Sequence, residues 1–309
     1  MKLYTDFDQC GLIRNAVVTT GTFDGVHIGH KAILQRLKKL ALETGGETVV
    51  ITFEPHPRKV LYPDTYGKDL YLIHSLREKI RLLEKAGLDH LIVVRFTREF
   101  SMISSTDFIR EILLKKLHAR KIVIGYNHHF GHNREGDFEK LKAMGMEFGF
   151  DVEEIPEQEI QHESVSGTRI REALEAGDIR KANRYLDHHY LILGEPVLSR
   201  KPLAGTGISG YRVLIEEESK LIPPDGVYAV SAVDGEHCLK AVCHIRKEGG
   251  TSIDAVVEFF VPDPVAEFPA NPVTLLFHDR LGLLREEPGA EGFRKQLVSE
   301  LEMLNQVKF

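Results

Sequence analysis

Cysteine is scarce in this chain of 309 residues. The three present, Cys10, Cys238 and Cys243, form no CxxC pair and no cysteine–histidine spacing of the kind that holds zinc. A zinc site is therefore not expected, and a reduced cytoplasmic setting is. Long apolar runs are missing as well. No stretch approaches the roughly 18 apolar residues that a membrane-spanning helix needs, and the opening MKLYTDFDQCG lacks the hydrophobic centre of a secretory signal. Neither secretion nor membrane association is expected. There is also no excess of positive charge: 40 Lys and Arg stand against 46 Asp and Glu, for a formal net charge of -6. A nucleic-acid partner is not expected, because phosphate backbones are met by clustered basic surface. A local basic pocket for a nucleotide stays compatible with that balance. No biased repeat interrupts a composition of 42% hydrophobic and 28% charged residues, and the length suits two domains.

What is there is a rhythm. Short apolar runs at 15–20, 47–53, 90–94, 121–124 and 148–152 read as strands. Helical patterns at 31–43, 76–86, 105–115 and 139–144 separate them, the second with Leu76, Ile80 and Leu83 on one face. Strands alternating with helices indicate an α/β fold, a Rossmann-like parallel sheet covered on both faces. Two short helices follow at 168–176 and 178–186, punctuated by Gly177 as a C-cap and Asp178 as an N-cap. After residue 190 the pattern changes to β-rich runs, 226–233 and 253–260 among them, with Gly and Pro turns and no crossover helix. That reads as an antiparallel barrel or sandwich, closed by a terminal helix at 291–307. The expected domains are 1–187 and 188–309.

The densest chemistry lies at the first strand-to-helix junction, Gly21-Thr22-Phe23-Asp24-Gly25-Val26-His27-Ile28-Gly29-His30. Ligands of open parallel sheets bind beyond the strand C-termini, where a helix start offers unpaired N–H groups to phosphate. Gly21, Gly25 and Gly29 allow tight turning and close backbone approach. His27 and His30 can donate to phosphate oxygens as charge shifts during transfer. The segment is neither a Walker A loop nor a dinucleotide Gly-x-Gly-x-x-Gly fingerprint. Asp24 serves either the turn or the organisation of substrate and metal.

Three further loops carry polar groups at strand or helix ends. Thr52-Phe53-Glu54-Pro55-His56-Pro57 follows the second strand, its path set by two prolines. The 125–136 segment holds His128, His129 and His132 without carboxylate partners at metal-ligating spacing, so a loop that hydrogen-bonds nucleotide and places Arg134 near phosphates is a more economical reading than a metal site, with a basic surface loop as the alternative. Ser164-Val165-Ser166-Gly167-Thr168-Arg169-Ile170-Arg171 combines hydroxyls, a helix start and two arginines that cannot face the same way. An ordinary N-cap is the competing role for Ser166.

Together these residues resemble the prokaryotic bifunctional riboflavin kinase/FAD synthetase family over nearly the whole chain. The 21–30 segment is similar to its HxGH motif, 52–57 to its Thr-Phe-Glu-Pro-His-Pro segment, and 164–171 to its Ser-Ser-Thr-x-Ile-Arg segment. The resemblance implies an FMN adenylyltransferase domain that transfers AMP from ATP to FMN, releasing FAD and pyrophosphate, with Mg²⁺ bridging the triphosphate. It implies His27, His30 and Arg171 as catalytic. It gives Gly21, Phe23, Asp24, Gly25, Gly29, Asn127, Arg134, Ser166 and Thr168 to nucleotide binding. Asn127 stands where many members have aspartate, and Leu72-Ile73-His74-Ser75 where an Arg-Leu-Thr-like segment is common.

The second domain resembles the family's riboflavin-kinase barrel at 221–230 and in its closing segment at 280–301. The kinase motif Gly-Phe-Pro-Thr-Ala-Asn is here Gly207-Ile208-Ser209-Gly210-Tyr211-Arg212, so Gly210 and Arg212 replace the metal-organising threonine and asparagine. The Asn-x-Gly-x-Arg-Pro-Thr segment has no counterpart around 241–252, and the kinase glutamate corresponds to Glu258 or Asp254. These replacements put the kinase step in doubt. The resulting expectation is an FAD synthetase with doubtful kinase activity, its alternatives a fully bifunctional enzyme and a non-catalytic nucleotide- or flavin-binding protein. Metal ligands and oligomeric state are left open.

Overall fold

The computed structural model describes residues 1–126, 129–156, 165–200, 207–235, 237–247, 254–262, 272–284 and 289–307, apart from the side chains of Arg134, Arg200, Gly289 and Ala290. The chain divides by its packing into two units: Met1–Leu70 with Lys79–Val165, and Tyr71–Glu78 with Ser166–Phe309.

In the first unit β1 (Lys2–Tyr4), β2 (Val17–Thr20), β3 (Thr48–Glu54), β4 (His90–Arg95), β5 (Lys121–Gly125) and β6 (Asp151–Ile155) form one sheet in the order β1-β4-β3-β2-β5-β6. Every pairing is parallel. Val49, Val50 and Ile51 of β3 are fully buried in succession, the mark of a central strand covered on both faces. The helices are α1 (Ile28–Thr44), α2 (Pro57–Leu61), α3 (Leu76–Lys85), α4 (Arg98–Ser101), α5 (Ser105–Asp107) and α6 (Phe138–Phe148). α3 is divided between the units after Glu78. The helix expected at 105–115 is α-helical only in α5 and continues as a π-helical stretch, Phe108–Leu114. A strand expected at 148–152 lies instead at β6. Phe148 still belongs to α6, which ends at Gly149 in the left-handed conformation (φ 79°), a cost-free cap for a residue without Cβ. The three-residue β1 went unread because so short an edge strand carries no alternation.

The second unit begins its main run with α7 (Gly167–Glu175) and α8 (Ile179–Leu186), and then forms the barrel. Its strands are β7 (Tyr190–Arg200), β8 (Ile208–Leu214), β9 (Gly226–Val233), β10 (Cys238–Lys247), β11 (Ala255–Pro262) and β12 (Val273–Gly282). They close in the order β10-β11-β8-β7-β12-β9, all antiparallel. Closure removes the exposed edges a sandwich would leave. Tyr228 meets Phe277 edge-on at 5.6 Å, while its neighbours Val227 and Ala229 pack with Val242 and Leu304. That alternation is why β9 is buried along both faces: α9 (Gly289–Met303) and the turn after it cover one of them. Packing groups α7 and α8 with the barrel, whereas the sequence placed them before a division at 187/188. α8 lies against β7 and β12, and the Asn183 side chain donates to the Phe277 carbonyl (2.8 Å) and accepts from Tyr190 N–H (2.7 Å).

Candidate active site

The strand order reverses at β2: successive strands β3 and β4 lie to one side of it, β5 and β6 to the other. A crevice opens beyond the C-terminal ends of strands at such a switch point. The chain leaving β2 runs directly into the 21–30 segment, and the chain leaving β5 into the loop that ends at Gly136.

The 21–30 loop is held under strain. Phe23 and Val26 both adopt positive φ (47° and 41°), with Gly25 at 89° among them. A β-branched residue there is unusual and marks a conformation that its surroundings enforce. The enforcement is visible: Gly21 N–H donates to the Ile51 carbonyl (3.0 Å), Thr52 Oγ1 to the Thr22 carbonyl (3.1 Å), and Val26 N–H to the Phe23 carbonyl (3.3 Å). Phe23 and Val26 are buried to 1% exposure, and Asp24 and Gly29 are buried too. At Gly21 a Cβ would come within 3.2 Å of the Phe23 ring.

His27 is the N-cap residue of α1 and makes no capping hydrogen bond with its side chain. The start of a 17-residue helix thus faces its environment without a local side-chain acceptor from the cap, a favourable arrangement for an anion. The His27 and His30 rings stack at 3.8 Å, and His30 packs against Phe23 at 4.8 Å. His30 Nδ1 is buried with no hydrogen-bond partner among the described residues. Burial, the neighbouring His27 and the Lys79 ammonium push the His30 pKa well below 6.5, so the ring is neutral near pH 7. Lys79 is itself 5% exposed. It went unread in the sequence, although its place three residues after Leu76 puts it at the edge of the apolar stripe of α3, which was the available signal.

The remaining expected residues fall as follows. Asn127 lies outside the described residues. Arg134 ends a single 3-10 turn, His132–Arg134, in the loop after β5. Ser166, Thr168 and Arg171 belong to the second unit. There Ser166 caps α7 by accepting from Arg169 N–H (3.4 Å), so its capping role is realised. Thr168 is exposed, and Arg171 Nε donates to the Tyr71 carbonyl at 2.7 Å. His56 accepts from Arg58 N–H and so caps α2. Among the described residues no group of three His, Cys, Asp or Glu side chains is placed to hold a metal ion. Glu54, at the end of β3, is followed by a cis Pro55.

On the barrel, the replaced kinase motif forms a regular strand. Gly210 pairs with Phe260 and Arg212 with Glu258, while Glu258 also pairs with His244 on its other side. Directly paired residues project to the same face, so Arg212, Glu258 and His244 make one row. His244 Nε2 is 2.7 Å from Glu300 Oε2 on α9. Asp254 is an exposed turn residue before β11.

The sequence matches the FAD synthetase family model over residues 12–169, about half the chain. Relatives extend the likeness. A bifunctional riboflavin kinase/FMN adenylyltransferase of Pseudomonas fluorescens is 32% identical over 277 residues, 89% of this chain and 86% of the relative. Those of Listeria monocytogenes and Escherichia coli are each 34% identical, covering 72% and 74% of this chain and 69% and 72% of their own. The chain belongs to the bifunctional riboflavin kinase/FMN adenylyltransferase family. As a member of that family it is an ATP-dependent adenylyltransferase. A solved structure titled a macrolide-efflux protein, from Streptococcus pneumoniae, superimposes with a TM-score of 0.83 at 24% identity over 98% of both chains, which shows the shared fold alone. No helix among the described residues is long and apolar enough to cross a membrane.

Proposed function

We propose that this family member transfers AMP from ATP to FMN at the crevice beyond β2 and β5. The observation that carries the reading is the start of α1 behind a strained loop, its N-cap His27 making no side-chain capping bond, with the stacked His27 and His30 at the topological switch of the sheet. An oxygen of the FMN phosphate attacks the α-phosphorus of ATP, a new P–O bond forms, and the bond to the β-phosphate oxygen breaks to release pyrophosphate. The nucleophile already exists on the substrate, so the protein positions the groups and stabilises charge. His27 and His30 are assigned to the phosphates as N–H donors, and Gly21, Phe23, Asp24, Gly25 and Gly29 to the loop that receives them. Asn127 and Arg134 are assigned to nucleotide contacts from the loop after β5, and Ser166, Thr168 and Arg171 to the triphosphate side. Asp24, the single carboxylate of the 21–30 loop, would be the residue there able to hold Mg²⁺, which would neutralise charge on the triphosphate. A cytoplasmic location accords with this role.

The relatives share a description that includes riboflavin kinase, and this supports a fully bifunctional enzyme over the expected loss of the kinase step. One observation favours the second reading, an adenylyltransferase with a silent barrel: Arg212 stands in register with Glu258, where a cation would meet a guanidinium instead of an oxygen donor. Separate reactions of riboflavin and of FMN with ATP-Mg²⁺, resolved by chromatography, test both. FAD from FMN is expected; its absence overturns the adenylylation reading. FMN or FAD formed from riboflavin supports the bifunctional enzyme, and unreacted riboflavin supports the silent barrel.

A further inference from the structure

The loop after β5 is fastened at several points to one short segment, Ser101–Ser105. Phe130 and Gly136 close the loop on itself, with Phe130 N–H donating to the Gly136 carbonyl (3.1 Å) and Gly136 N–H returning to Phe130 (2.9 Å). Within it Gly131 and Asn133 take positive φ, 75° and 52°. His132 N–H donates to the Ile103 carbonyl at 3.0 Å, and His132 Nδ1 lies 3.2 Å from the Ser101 carbonyl. Glu135 completes the attachment. Its Oε1 accepts from both the backbone N–H (2.7 Å) and the hydroxyl (2.9 Å) of Ser105, a fully buried residue that opens α5.

Ser105 N–H is one of the donors a helix start leaves without an intrahelical acceptor. Ser104 caps the same turn by accepting from Asp107 N–H (3.0 Å), so the Ser105 amide depends on an acceptor from elsewhere in the chain. Glu135 supplies it from 30 residues away. Gly131 makes the approach possible: a Cβ there would lie 2.6 Å from the Ser105 backbone nitrogen and Cα. The backbone and hydroxyl donors of Ser105 also hold the Glu135 carboxyl below its usual pKa.

We propose that Glu135 and Ser105 are positioning residues for adenylylation, locking the loop after β5 in the geometry that receives the nucleotide. The role rests on the adenylylation reading, and neither residue touches reacting atoms. Glu135 is itself exposed, but its carboxyl is the acceptor for two donors of the buried Ser105. Its two bonds to a buried partner therefore act on where the loop lies. Misplacement by about 1 Å at such a loop costs catalysis on the order of a hundredfold.

The test uses the full chain. Glu135→Ala, Glu135→Gln and Ser105→Ala are assayed for FAD formation with ATP and FMN varied separately, and ATP-Mg²⁺ binding is measured by calorimetry without FMN. Glu135→Ala is expected to raise the KM and Kd for ATP by about tenfold or more and to leave the KM for FMN nearly unchanged, with the melting temperature lowered because the buried Ser105 donors lose their acceptor. Glu135→Gln keeps an acceptor oxygen and is expected to recover most of the loss, with Ser105→Ala in between. Unchanged ATP affinity in folded Glu135→Ala, or an equal rise in both KM values, overturns the proposal. If the wild type makes no FAD, the adenylylation reading fails by itself. The calorimetric order of the variants then still decides the role of the lock: the same order supports it, and equal Kd values overturn it.

Discussion

At the scale of the residue, His30 shows how surroundings choose a protonation state. Its ring is packed between Phe23 and His27, with its Nδ1 away from water, and a second cation beside His27 and Lys79 is disfavoured. A neutral imidazole can still donate one N–H to a phosphate oxygen, which is the contribution assigned to it. Replacing it with alanine is expected to slow FAD formation by about 10²–10³-fold, the usual cost of one transition-state donor, and to affect the rate far more than the folding. An unchanged rate would remove His30 from the chemistry. Its lowered pKa also has a consequence for stability. As pH falls below about 6.5 the unfolded chain takes up the proton before the folded one. The stabilisation is therefore present above that value and is lost as pH falls towards the depressed folded pKa. Denaturant midpoints at about pH 7.5 and about pH 5.5 should fall further for the wild type than for His30→Gln. An equal fall in both proteins would contradict the burial argument.

At the scale of the element, local signals worked where the chain punctuates itself. Gly177 takes φ 74° after α7, and Asp178 then caps α8 by accepting from Lys181 N–H at 3.0 Å, the arrangement the Gly-Asp pair announced. Asp178→Ala is expected to destabilise the second unit by about 1 kcal/mol, read as a shift in the denaturant midpoint with an unchanged slope. No shift would mean that packing against β7 and β12 holds α8 without its cap. The π-helical stretch Phe108–Leu114 had no such local mark. Phe108, Ile109, Ile112 and Leu113 are buried there, a spacing that also fits an ordinary α-helix, so the pattern could not distinguish the two.

At the scale of the molecule, the second unit is tied together by residues far apart in the chain. The fully buried Lys220 ammonium donates to Glu78 Oε2 (2.7 Å) and to the carbonyls of Ile73 (2.6 Å) and Leu191 (2.8 Å), and lies 4.4 Å from the centre of the Tyr190 ring. Glu78 in turn accepts from Ser75 N–H and Leu193 N–H, both at 2.8 Å. Tyr190 donates its hydroxyl to the Leu221 carbonyl, and Leu72 exchanges backbone bonds with Ser219 and Leu221. A buried ion pair adds little net stability when complete, but losing one partner strands the other charge. Lys220→Met alone is expected to cost about 3–5 kcal/mol in chemical denaturation, and Glu78→Gln with Lys220→Met distinctly less. Equal costs would show that the charge on Glu78 is not what the lysine compensates.

The sequence by itself determined the alternation of strands and helices, the change to β-rich runs after residue 190, the cap at Asp178, and the glycine–histidine junction after β2. Each of these is written over a few neighbouring residues, because side-chain period and backbone sterics act locally. Only the tertiary structure decided the rest. It placed Glu135 on Ser105, Glu78 on Lys220 and Arg212 beside Glu258, and it lowered the pKa of His30 by burial beside His27 and Lys79. Those outcomes depend on which distant groups the fold brings together. Glu78 and Lys79, adjacent in one helix, went unread in the sequence, and both are buried.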